Sequence, residues 1–323
     1  ETDPAPEPAP VRPHPGPATI VLTHASAGGL AATAGRLAEH LEQDRAPAPL
    51  ADIAHTLAAT RSGEPQRVAF PAEDHEALLI ALKELSTASG TLSTAPVTES
   101  VDAREEPVWV FSGHGSQWAG MGRTLLATEP AFAAAIDRLE PIAEREQGMS
   151  LRALISEGAE ATRIDHVQPL VFAMQVALAQ VWRARGVRPG AVVGHSMGEV
   201  AAAVVAGILT EEQGMQIICR RTRLMLSVAG GTMATVTLGS EEVRAVIEEQ
   251  GCAHVTPAVL LSPEATVIAG DADEVARLQT YWEGQGVRVT QVPVEVASHS
   301  PQVDPILTDI TTELAHLTPA TGT

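Results

Sequence analysis

Lysine is almost absent from this chain: Lys83 is the only one in 323 residues. Arginine does not restore the balance, and the formal charge at pH 7 is −19. So acidic a surface repels phosphate backbones and anionic headgroups, which excludes nucleic acid and a membrane surface as partners. It also makes each arginine count if the substrate is an anion. Cysteine is scarce as well. Cys219 and Cys252 have neither metal-ligand nor disulfide spacing, so no metal site is expected and a reducing, cytoplasmic compartment fits. The chain lacks the basic-then-apolar opening of a signal peptide, and none is expected. The longest apolar stretch, residues 191–209, contains His195 and Glu199 and is expected to be core, not a membrane span.

The length allows two or three domains. Residues 1–17, rich in proline, alanine and acids, bury little and are expected to form an extended linker. Residues 18–106 predict a small α/β module. It has strands at 18–23 and 67–71 and helices at 29–43, 50–60 and 74–85, the first with Leu30, Ala34, Leu37 and Leu41 at helical spacing. Residues 86–107, rich in Ser, Thr and acids, form a second linker.

Residues 107–231 begin a larger body. Residues 108–111 predict a buried strand, 130–145 and 167–185 helices, 187–193 a strand and 199–209 a buried helix. Thr210-Glu211-Glu212-Gln213 has capping-box spacing and opens a helix carrying Arg220, Arg221 and Arg223. Residues 232–295 then run strand, helix, two strands, helix, strand, the ferredoxin-like order. Residues 296–323 return to the large body and end in a helix at 306–317. The fold class expected is α/β: an α/β-hydrolase-like large subdomain with an inserted ferredoxin-like small subdomain, preceded by a small α/β linker domain.

The chain is organised around Gly194-His195-Ser196-Met197-Gly198, a nucleophile-elbow pattern between strand and helix. Its glycines allow close approach while Ser196 is pushed out of the turn. A bland alternative is a βα turn whose serine caps the helix. A hydroxyl needs a base within hydrogen-bond reach, and His299, where the chain re-enters the large body, is the candidate. His195 is expected to pack or fix the turn. His114, His166 and His254 have no partner evident in the sequence. No acid completes a triad: Asp304 is expected to start the following helix, and Asp271 to sit in a Gly-Asp turn. The backbone N–H of Met197, at a helix N-terminus, and the Gly113-His114-Gly115 loop offer donors to an oxyanion.

Together these residues resemble the acyltransferase domain of modular and iterative polyketide synthases, related to malonyl-CoA:acyl-carrier-protein transacylases. The resemblance rests on Phe111-Ser112-Gly113-His114-Gly115-Ser116-Gln117, Gln168-Pro169, the elbow with Glu199, Arg221, and Ala297-Ser298-His299-Ser300. Residues 18–85 resemble the linker that joins a ketosynthase to this domain. The wording around Trp118 and Val303 resembles the mycocerosic acid synthase branch, which loads methylmalonyl units.

The resemblance implies that Ser196 carries the acyl group and His299 is general base and acid. It implies that Arg221 grips the extender carboxylate, that Gln168 lines the pocket, and that the backbones of His114 and Met197 form the oxyanion hole. Acyl-CoA, an acyl carrier protein and the adjacent ketosynthase are the implied partners. The domain needs no cofactor of its own, since phosphopantetheine belongs to the carrier. The family usually has Gln where this chain has His114. It also continues past the position of Thr323, through the segment whose main chain orients the catalytic histidine, so a chain ending here is expected to be inactive. Residues 163–168 resemble the methylmalonyl version of that segment, and Val296 and small Ser298 leave space for an α-methyl group. A serine hydrolase or thioesterase, a starter-unit loader and a non-catalytic megasynthase module are the alternatives.

Overall fold

The computed structural model describes residues 17–44, 46–59, 64, 66–87, 97–98, 106–115, 117–158, 162–228, 230–292, 294 and 296–322. The expected linker at 1–17 and most of that at 86–107 lie outside the described residues. The chain divides into two units, Glu1–Glu105 and Glu106–Thr323.

The first unit contains β1 (Ala18–His24), α1 (Ala27–Gln43), α2 (Leu50–Ala59), β2 (Gln66–Ala72), α3 (His75–Thr87) and β3 (Val97–Thr98). The strands form an antiparallel sheet in the order β1-β2-β3. Alternation along β2 sends Val68, Phe70 and Ala72 inward. Leu78, Leu82 and Leu85 of α3, spaced by four and three, are fully buried against them and against Leu30 and Ala34 of α1. The Ser26 hydroxyl caps α1 by accepting from Gly29 N.

The second unit opens with β4 (Val108–Phe111), α4 (Arg123–Thr128), α5 (Pro130–Gln147), α6 (Leu151–Glu157), α7 (Ile164–Ala184), β5 (Ala191–Gly194), α8 (Gly198–Val205) and α9 (Glu211–Met225). β4 and β5 pair in parallel, Val108 opposite Ala191 and Phe111 opposite Gly194. Helices α5, α7 and α9 build the core behind them from Phe132, Ile136, Leu139, Phe172, Val176, Met215 and Ile218. The capping box on α9 is complete. Arg220 of α9 and Glu146 of α5 form an ion pair at 2.9 Å.

Several local expectations are corrected. β4 is not buried on both faces: Trp109 and Phe111 pack inward, but Val108 and Val110 are 57% and 72% exposed. Among the described residues β4 has only β5 as a strand neighbour, which leaves its other edge unpaired. The strand expected from 187 begins at Ala191. Pro189 has no N–H to give a ladder, and Gly190 N turns the chain onto Pro107 O. The helix expected to reach 209 ends at Val205, because Gly207 takes a left-handed φ of 75°.

Next come β6 (Gly231–Val236), α10 (Ser240–Glu249), β7 (Val255–Ser262), β8 (Ala265–Asp271), α11 (Ala272–Gly284) and β9 (Val289–Val292). Their sheet is antiparallel in the order β7-β8-β6-β9. One face, with Ala234, Val236 and Ile268, is covered by Val243 of α10 and Leu278 and Trp282 of α11. The opposite face presents Met233, Val267 and Ala269 to Ala297. Asp271 is not a turn residue. It ends β8 and caps α11, its carboxylate accepting from Asp273 N and Glu274 N. The last helix, expected at 306–317, is shorter, α12 (Leu307–Leu314), and Asp304 lies in a 3-10 turn at Pro301–Ile306 that precedes it. Among the described residues no helix is long and apolar enough to cross a membrane. Nor does any group of three or more His, Cys, Asp or Glu among them converge as a metal site would require.

Candidate active site

The turn between β5 and α8 leaves no room for side chains on its flanks. A Cβ on Gly194 would overlap the backbone of Glu199, and one on Gly198 would overlap the carbonyl oxygens of Phe111 and Ser112. Between them Ser196 takes a φ of 53°. A non-glycine residue enters that left-handed region at a cost of about 1–3 kcal/mol, which the surrounding packing must impose. The bend throws the hydroxyl outward, and Ser196 Oγ lies 2.8 Å from His299 Nε2.

His299 arrives on the segment after β9. It too has a left-handed φ, 61°. The turn that carries it is fixed on both sides. Ser298 N donates to Val296 O, and the buried Ser300 hydroxyl donates to Ala297 O while accepting from Gln302 N. The residue stays exposed to solvent on one side. Partial burial of its ring is nevertheless the largest influence on its protonation, and it pushes the pKa below the ordinary histidine value. The charge of Arg221 and the neighbouring His195 push the same way, and Glu199 pulls back. A neutral imidazole with Nε2 facing a hydroxyl is a base ready to accept its proton.

The three arginines of α9 have different surroundings. Arg220 is paired with Glu146, and Arg223 with Glu313 at 2.7 Å. Arg221 meets no carboxylate among the described residues. Its Nη1 donates instead to Oε1 of Gln168, a 4% exposed glutamine on α7, at 2.8 Å, and burial lowers its pKa. A half-buried guanidinium held by a neutral amide keeps donors free for a bidentate anion.

The loop after β4 reaches the elbow. His195 N donates to Phe111 O, and a Cβ on Gly113 would stand 2.9 Å from His195 Nδ1. His195 therefore packs against the loop and fixes the turn. His114 is partly buried in this loop, and Met197, 3% exposed, stands at the N-terminus of α8. Gly115 N bonds Gln117 Oε1, while Ser116 lies outside the described residues.

Val296 is corrected. Its side chain is fully buried with Ile164, Met225 and Ile306, so it belongs to a hydrophobic cluster and is not open to a pocket. Ser298 is half-buried at the turn. His254 gains a partner that the sequence did not reveal: Glu274 accepts from His254 N and sits 3.0 Å from its Nδ1, raising the imidazole pKa. Ser300 was not singled out, although the Ser-Pro pair that caps the 3-10 turn carried a signal for it. Gln175 of α7, whose Nε2 donates to Ser112 O at 2.7 Å, had only its position in an apolar helix to mark it.

The family model for the acyl transferase domain matches residues 108–323. The chain belongs to that family. The RhiE-like, KS-MAT linker domain matches residues 21–89. A phthioceranic/hydroxyphthioceranic acid synthase of Mycobacterium tuberculosis is 44% identical over 320 residues, 99% of this chain and 15% of that protein. A mycocerosic acid synthase-like polyketide synthase of Mycolicibacterium smegmatis is 45% identical over 306 residues, 93% of this chain and 14% of that one. The chain thus spans about 15% of the length of the curated relatives it matches. Among solved structures, the acyltransferase domain from module 8 of the salinomycin polyketide synthase superposes with a TM-score of 0.83. It is 34% identical, over 95% of this chain and 73% of that one. The acyltransferase domain of the polyketide synthase PpsC of M. tuberculosis is 46% identical with a TM-score of 0.64, over 67% of this chain and 66% of that one. The mixed α/β fold of this acyltransferase domain is therefore that of polyketide synthase acyltransferases.

Proposed function

We propose that this domain loads an extender unit of methylmalonyl type from CoA, through an acyl-Ser196 enzyme, onto the phosphopantetheine thiol of an acyl carrier protein. The supporting observation is the 2.8 Å pairing of Ser196 Oγ with His299 Nε2. Neutral His299 takes the hydroxyl proton as Ser196 attacks the thioester carbonyl. The C–S bond breaks, and the CoA thiol leaves with that proton. In the second half the carrier thiol gives its proton to His299 and attacks the ester, the C–O bond breaks, and His299 passes that proton to the departing Ser196 oxygen. The developing oxyanion is assigned to the backbone N–H groups of Met197 and His114.

Arg221, the one arginine of α9 without a carboxylate partner among the described residues, is assigned to the free carboxylate of the extender, with Gln168 orienting it. Ser298 is assigned to the wall beside the α-carbon, and Val296 acts only by packing behind it. The fold that goes with this reading is an α/β-hydrolase-like body with a ferredoxin-like insert, β6 to β9, supported by that insert's strand order. The relatives' multidomain architecture and the KS-MAT linker match favour a neighbouring ketosynthase and a carrier domain as partners.

The experiment is intact mass of the full-length protein after exposure to a mixture of acetyl-, propionyl-, malonyl- and methylmalonyl-CoA. The expected adduct is methylmalonyl on Ser196, absent in Ser196→Ala. In Arg221→Ala, carboxylated adducts should fall at least tenfold relative to propionyl, about the 1.4 kcal/mol or more expected of a lost charge-assisted pair. Equal losses for both acyl classes would remove Arg221 from its role.

A further inference from the structure

Helix α7 is apolar almost throughout its middle, yet it carries three glutamines, of which Gln168 and Gln175 stand seven residues apart. Seven residues are two turns, so both project from one face about 10.5 Å apart along the axis. Gln168 holds Arg221. Gln175 donates from Nε2 to the carbonyl oxygen of Ser112 at 2.7 Å.

Ser112 O occupies a decisive place. It lies at the end of β4, where the chain enters the loop that carries His114. It also sits against the elbow, since a Cβ on Gly198 would come within 2.7 Å of it. One carbonyl is thus clasped between the Gln175 amide and the first turn of α8, and it joins the two backbone segments assigned to the oxyanion.

The side chain is costly where it stands. Gln175 Oε1 is buried with no hydrogen-bond partner among the described residues. Leaving a buried amide oxygen unsatisfied costs about 1–3 kcal/mol. Val171, Phe172, Met174 and Val176 around it show that an apolar residue suits the helix. What the amide gains for that cost is the Ser112 bond.

We propose that Gln175 is a positioning residue for acyl transfer, holding the Ser112 peptide so that the loop and elbow N–H groups converge on one oxyanion. The proposal rests on Ser196 being the nucleophile. Gln175 acts through Ser112 and does not touch the acyl group. Misplacing such a cradle by about 1 Å is enough to cost about 10²-fold in rate.

The test is the kinetics of Ser196 acylation in the full-length protein, comparing wild type with Gln175→Met, which keeps length and apolar volume but removes the donor, and Gln175→Ala. Gln175→Met should lower kcat for acylation about 10²-fold while KM for the acyl-CoA stays within about twofold, a split that marks loss of transition-state stabilisation alone. Labelling of Ser196 by a fluorophosphonate should slow in parallel, with Tm near that of wild type. Wild-type kcat in Gln175→Met would overturn the proposal. So would kcat and KM losses that merely follow a lowered Tm across the two variants. Ser196→Ala run alongside separates the two levels: acyl transfer that survives in it defeats the nucleophile assignment itself, whatever Gln175 does.

Discussion

His299 and Ser196 are the only non-glycine residues with positive φ among the described residues, and they are the two that meet at 2.8 Å. Strain therefore sits at the proposed reacting pair, and the surrounding structure must hold it there. The second property of the pair is electrical. Burial and the Arg221 charge hold His299 below the ordinary histidine pKa of about 6.5. Only the neutral ring accepts a proton, so activity is lost as pH falls through the lowered pKa and is full above it. The rate of Ser196 labelling by a neutral fluorophosphonate should rise with pH along a single titration whose midpoint lies below about 6.5. Removing the cation in Arg221→Ala should move that midpoint upward, because one of its two depressing neighbours is gone. A midpoint unmoved in Arg221→Ala would mean that the guanidinium does not face the imidazole.

At the scale of elements, the elbow works because β5 and α8 approach β4 more closely than side chains permit. Gly198 is the tightest point. The atoms its Cβ would strike, Phe111 O and Ser112 O, are backbone and cannot swing aside. Gly198→Ala should destabilise the domain by about 1–3 kcal/mol through overpacking, and should abolish Ser196 labelling even below the unfolding temperature. A stable Gly198→Ala protein that labels at the wild-type rate would show the contact to be loose. Such crowding is legible in a sequence because it leaves glycines behind, as Gly194 and Gly198 show. The orientation of a face is less legible. The run Val108-Trp109-Val110-Phe111 looks buried on both sides, yet which side is covered depends on strands and helices supplied from elsewhere. Val296 reads as a pocket wall from its place in the Val296-Ala297-Ser298-His299 segment of the resemblance. It is buried instead with Ile164, Met225 and Ile306. Gln175 was missed since periodicity counts apolar positions, and an amide inside an apolar helix registers as noise unless its partner is known.

For the whole chain the relevant quantity is the net charge of −19 set against Arg221, which among the described residues has no carboxylate partner and lies near the proposed reacting pair. The long-range field of such a surface repels an acyl-CoA, whose phosphates and carboxylate are all anionic. In its proposed role the Arg221 guanidinium attracts it only once it has entered the site. These two effects respond differently to salt. The Debye length shrinks from about 30 Å at 0.01 M to about 8 Å at 0.15 M, which screens the distant surface charges. A contact between Arg221 and a carboxylate in a half-buried pocket is screened much less. Added salt should therefore raise kcat/KM for the acyl-CoA, through KM, with kcat nearly constant. The response belongs to the summed charge, so it should persist in Arg221→Ala with propionyl-CoA as substrate. A fall in kcat/KM with salt would place a positive field at the mouth of the site, and association would then be steered by local arginines against the sign of the molecule.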